Sequence, residues 1–151
     1  MSMLSVFAGV CGFFASAMIG LWLKKRLLRK AKFYEDYYEY LTFATEKIAY
    51  ERMPIGELNA TFSLKYKGEF SDFLKGKSGG MPLGEGESSE IRDYLSGIGT
   101  TDAETQIASL KGKCAELKRF TENDCAKYRK DGSLYFKVSA LLGLVIFILL
   151  V

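Results

Sequence analysis

The chain has 151 residues, 21 Lys and Arg against 18 Asp and Glu for a formal net charge of +3, and no histidine. The commonest general base and metal ligand is therefore missing, and three scattered cysteines cannot assemble a zinc site of the usual kind. No catalytic residue, cofactor, metal or nucleic-acid partner is expected.

Charge is confined to the middle, since every charged side chain lies between Lys24 and Lys137. Met1 to Leu23 is uncharged, and within it Leu4 to Leu23 is 20 residues. As a helix that run extends about 30 Å, the thickness of a hydrocarbon core. Trp22 falls where an aromatic belt is expected. The rival reading is a signal peptide, with Ala15-Ser16-Ala17 as a cleavage site. Against it, no basic residue precedes the apolar run and the basic cluster follows it. Ala8, Gly12, Ser16 and Gly20 are spaced four apart and give the span a small-residue face on which another helix can approach closely. Small residues are also common in membrane helices generally.

Lys24, Lys25, Arg26, Arg29, Lys30 and Lys32 follow with no acidic residue among them. Such a cluster marks the cytoplasmic side and attracts anionic lipid headgroups, at roughly 1 kcal/mol per residue near the surface. From Ala31 to Arg52, Phe33, Tyr37, Tyr40, Leu41, Ala44 and Ile48 recur at helical spacing. Tyr34, Tyr37, Tyr38 and Tyr40 are read chiefly as packing residues, with a partner hot spot as the alternative. Met53-Pro54 ends this helix, and Pro54 opens a second that carries Ile55, Leu58 and Phe62. A short helix is expected over Gly68 to Leu74. Gly76 to Ser89 reads as a break; its Gly76-Lys77-Ser78 resembles the end of a phosphate-binding loop, but position 71 is serine where the first glycine would stand. Ser89 to Leu95 reads as a short helix closed by Gly97-Ile98-Gly99.

Thr101-Asp102-Ala103-Glu104 reads as a capping box, with Thr101 as cap and Glu104 reaching back. Beyond it Ala103, Ile107, Leu110, Cys114, Leu117, Thr121, Cys125 and Tyr128 form one stripe. Cys114 and Cys125 share that face about 16 Å apart along the axis, too far to pair, and read as small hydrophobes. Asp131-Gly132 is a stop or kink. Val138 to Val151 is the second uncharged run, 14 residues, a length that also fits a core helix. It extends to 18 if it begins at Leu134 and Lys137 snorkels to the headgroups. Ser139 and Gly143 repeat the small-residue face. Lys127, Arg129, Lys130 and Lys137 precede this run. The two basic clusters belong to one loop and agree on a cytosolic middle with both termini on the far side. The expected fold is all-α, a cytosolic helical bundle over residues 24–137 flanked by membrane helices at 1–23 and 138–151.

Ile48-Ala49-Tyr50-Glu51-Arg52-Met53-Pro54-Ile55-Gly56-Glu57-Leu58 resembles the turn between two helices in the stage III sporulation protein AB family of endospore-forming bacteria. Gly97-Ile98-Gly99-Thr100-Thr101-Asp102 with Gln106 resembles a second segment of that family. The order of span, basic helix, long charged helix and apolar tail also agrees. Lys47 and Leu58 depart from the pattern. The resemblance implies a non-enzymatic cell-membrane subunit of the channel complex between mother cell and forespore. Its domain would be similar to those of inner-membrane platform proteins of type II secretion and type IV pilus machines. The partners it implies are a cytosolic secretion-type ATPase and other channel subunits. The alternative is a membrane-anchored helical adaptor or regulator unrelated to secretion; a small membrane enzyme is a third reading.

Overall fold

The computed structural model describes residues 3–77 and 79–150. Met1, Ser2 and Val151, at the ends of the two expected spans, and Ser78 of Gly76-Lys77-Ser78 lie outside the described residues. Among the described residues six α-helices follow in order: α1 (Met3–Glu51), α2 (Ile55–Lys65), α3 (Glu69–Leu74), α4 (Glu85–Gly97), α5 (Ala103–Phe120) and α6 (Ala126–Leu150), with a π-helical turn, Thr121–Cys125, between the last two. The fold is all-α, with no strand among the described residues. Two compact units result, Met1–Ala31 with Ala126–Val151, and Lys32–Cys125.

In the first unit the beginning of α1 and α6 pair antiparallel, since Gly12, Ser16 and Gly20 meet Ile146, Ser139 and Phe136 in reverse order. Both helices are long and apolar enough to cross a membrane, and their most apolar windows are only 11% and 6% buried. Met3, Phe7, Phe14, Met18, Leu142 and Leu149 all point outward. A core helix of a soluble protein would bury such residues. α6 runs through Asp131-Gly132 without a stop. The kink expected there is replaced by close packing, because Gly132 is buried with Lys24 against it.

The second unit is built round aromatic rings. The stripe read from the sequence, Phe33, Tyr37, Tyr40, Leu41, Ala44 and Ile48, is buried along α1. Leu58 and Phe62 of α2 and Phe70 and Phe73 of α3 complete one side. Phe70 is the hub, with ring centroids 5.3 Å from Phe33, 5.4 Å from Tyr37, 5.4 Å from Tyr40, 6.1 Å from Phe62 and 6.3 Å from Phe73. The largely edge-on or tilted geometries add to area burial, about 0.5–1.5 kcal/mol per pair. Leu110 and Leu117 of α5 and Ile91 of α4 are also buried.

Two local expectations need correction. α4 begins at Glu85, not near Ser89, because Glu85 and Glu87 suit the positive helix start and Glu87 accepts a hydrogen bond from the Gly84 amide at 3.0 Å. The cap of α5 is Asp102, one residue beyond the expected Thr101. Its carboxylate accepts from the Thr105 amide at 3.0 Å, and that bond holds its pKa below the ordinary carboxylate value. Thr101 instead donates to Gln106 Oε1 at 3.2 Å. Glu104 stays in the first turn, where it favours the dipole without closing a box.

Spacing also accounts for the π turn. Leu117, Thr121 and Cys125 follow at intervals of four, which drift off a 3.6-residue helix. A wider turn takes up the extra residue and keeps Cys125 buried. Phe70→Ala is expected to destabilise the domain by about 3–5 kcal/mol, whereas Leu64→Ala, at a residue 82% exposed, changes stability by under about 0.5 kcal/mol. Urea unfolding of the full chain in detergent, followed by circular dichroism, measures both.

Candidate functional site

Four of the six small residues singled out from the sequence meet across the helix pair of the first unit with close backbone approach. A Cβ added at Gly20 would stand 2.7 Å from Ser139 Cβ and 3.2 Å from the Phe136 backbone; one at Gly143 would stand 3.2 Å from the Phe13 backbone. Between them, Ser16 Oγ donates to the Ser139 carbonyl and Ser139 Oγ donates back to the Ser16 carbonyl, each at 2.5 Å. Interhelical bonds of this kind in membranes average about 0.6 kcal/mol, so the pair fixes register while the glycines set the distance. Gly12 faces only the end of a side chain, Ile146 Cγ2, at 3.1 Å from its added Cβ. Ala8 is exposed. Buried Gly132 belongs to the same pairing and was legible only as a turn residue, because its nearest apolar neighbours are not small.

The basic cluster is arranged on aromatic faces. The Lys24 ammonium lies 5.7 Å from the Phe136 ring centroid, Arg26 5.5 Å from Trp22, and Lys30 5.4 Å from Tyr128. Lys32 is turned to Asp36 at 2.7 Å, a hydrogen bond that raises its pKa. The two units divide charge sharply. The first carries nine Lys or Arg and one acid, Asp131, and the second twelve against seventeen. The small net charge of the chain conceals a basic helix-pair unit and an acidic helical one.

In the second unit the two segments quoted for the family resemblance come together. Ile48, Arg52, Pro54 and Ile55 face Ile98, Gly99, Thr101 and Gln106 across a cleft of about 730 Å³. Gln106 Oε1 accepts from the Gly99 amide at 2.8 Å and from Thr101, which pins the loop. Gly99 has φ 89°, and a Cβ there would meet Ile55 Cγ1 at 2.8 Å, so glycine is required both for conformation and for contact. Opposite it Arg52 is itself left-handed, φ 48°, the place where helices usually end on glycine. The strain sits on the rim of the cleft, where Arg52 is exposed.

Three variants test this geometry. Gly20→Ala separates the two apolar helices whereas Gly12→Ala is accommodated; disulfide formation between Ser16→Cys and Ser139→Cys, scored on gels, falls with the first and persists with the second. Arg52→Gly raises the stability of the domain by about 1 kcal/mol by relieving the left-handed strain, read as an increased urea midpoint.

The family model described as Stage III sporulation protein AB matches residues 74–151, a little over half of the chain. That stretch takes in α4, the Gly99 loop, the capped α5 and the second apolar helix. Neither the curated proteins nor the solved structures gave a match. The chain belongs to the stage III sporulation protein AB family, and its role is in sporulation.

Proposed function

We propose that this protein is a non-enzymatic scaffold and docking subunit of the membrane channel complex built between mother cell and forespore. The observation that carries the reading is the division of one chain into a basic, outwardly apolar helix pair and an acidic helical unit with open clefts. The first holds the chain in a bilayer. The second offers rigid, charged helix faces and a pinned loop, which suit a protein partner better than a small reactant. Membership of a sporulation family supplies the setting.

In this reading the helical unit lies in the mother-cell cytosol and both termini lie on the opposite side of the cell membrane. Residues 24–137 form the cytosolic domain and residues 1–23 and 138–151 the spans. The domain plays the part that inner-membrane platform proteins play in secretion and pilus machines, docking a secretion-type ATPase to other channel subunits. Lys24, Lys25, Arg26, Arg29 and Lys30 anchor the unit to anionic headgroups, about 1 kcal/mol each.

Affinity purification of the tagged full chain from sporulating cells, in mild detergent, tests the role. Recovery with a secretion-type ATPase and other membrane subunits is expected. Recovery with only a soluble signalling partner would favour a membrane-anchored adaptor and remove the channel reading.

A further inference from the structure

A second cleft of the helical unit, about 620 Å³, lies between α1, α4, α5 and the π turn. Its floor is apolar and aromatic: Ile91, Leu117, and the Tyr34 and Phe120 rings, whose centroids are 4.5 Å apart. Carboxylates line it from three elements, Glu87 and Glu90 from α4, Glu116 from α5 and Asp124 from the π turn, against Lys113 and Arg119. Lys113 is already engaged. Its ammonium lies 3.1 Å from the Glu116 carboxylate and 5.6 Å from the Tyr94 ring centroid.

Two groups here are unexplained by the fold. Tyr37, only 1% exposed, and Tyr94 both line this cleft, and both hydroxyls are buried without a hydrogen-bond partner among the described residues. Buried polar groups are nearly always paired. Tyr34, Glu90, Tyr94 and Glu116 line the same cleft as Tyr37. Burial holds the Tyr37 pKa above the ordinary tyrosine value, which leaves a neutral phenol able both to accept and to donate.

We propose that this cleft receives an arginine side chain presented by a protein partner. The planar guanidinium has five donors and no acceptor and stacks on aromatic faces. Its N–H groups donate to the Tyr37 and Tyr94 oxygens and to the Glu90 and Asp124 carboxylates, and its aliphatic stem covers Ile91 and Leu117. Lys113 over Tyr94 beside Glu116 is the same recognition made once within the chain. A metal ion is the poorer match, since among the described residues no three of these side chains stand close enough together to hold one. The proposal deepens the docking role and rests on it only in taking the partner to be a protein.

The test uses the full chain in phosphatidylcholine nanodiscs, whose uncharged surface does not itself attract the probe. Blocked arginine (acetyl-arginine amide) is titrated while the ring resonances of labelled Tyr37 and Tyr94 are followed, with blocked citrulline as the neutral isostere. Saturable shifts are expected with arginine, and binding about tenfold or more weaker with citrulline, as loss of a charge-assisted contact implies. Glu90→Gln with Asp124→Asn weakens arginine binding, and Glu57→Gln, away from the cleft, does not. Tyr37→Phe separates binding from folding: deleting an unpaired buried hydroxyl raises the urea midpoint while it lowers arginine affinity. Absence of saturable shifts, equal affinity for citrulline, or unchanged affinity in the double variant would overturn the proposal. An intact channel complex recovered from cells together with no arginine binding would remove this site and leave the docking role standing; the reverse would keep the site and remove the channel.

Discussion

A helix with apolar side chains on every side is stable only where something other than water surrounds it. The beginning of α1 and most of α6 impose that constraint. Phe7, Met18, Leu142 and Leu149 point away from the protein, and transfer of each from water to hydrocarbon is worth about 1.5–3 kcal/mol. No internal packing in the first unit recovers that energy, because the two helices cover each other along only one narrow seam. The confinement of charge to residues 24–137 follows from the same constraint. One ionised side chain within the apolar stretch would offset the gain of several leucines.

Where lipid surrounds such helices, the hydrophobic effect does not drive them together, and contact must come from shape and hydrogen bonds. That is the physical reason for glycine at 20 and 143 and for serine at 16 and 139. The small residues allow backbones to meet, and the serine hydroxyls find the partner helix's carbonyls. The second unit follows the opposite logic. Water surrounds it, so its rings turn inward onto Phe70 and charge turns outward. There the polar groups that remain buried are the informative ones. Tyr40 finds Asn59, whereas the Tyr37 and Tyr94 hydroxyls find no partner among the described residues.

Much of this was legible in the sequence because it depends on periodicity. The α1 stripe from Phe33 to Ile48, the α5 stripe through Leu110 and Leu117, and the small-residue spacing in the first span each follow from helical geometry alone. What escaped depends on tertiary context. Gly84 and Gly86 mask a helix start that Glu85 and Glu87 stabilise electrostatically. Asp102 displaced Thr101 as cap because both are good caps and only the backbone path decides between them. Gly132 read as a breaker until Lys24 lay against it. The π turn was present as two intervals of four, but a single extra residue is below what a stripe reveals. The tyrosine-lined cleft was invisible, since Tyr37, Tyr94 and Asp124 lie far apart in the chain.

Sidedness is the point on which the rest turns, and single cysteines measure it directly. In a chain with Cys11, Cys114 and Cys125 replaced, Tyr50→Cys, at a position 87% exposed, reports the helical unit, and Met3→Cys, at 93%, reports the N-terminal end. A membrane-impermeant maleimide applied to intact cells should label Met3→Cys and should reach Tyr50→Cys only after the membrane is opened. Labelling of Tyr50→Cys in intact cells would contradict a cytosolic domain held between two spans.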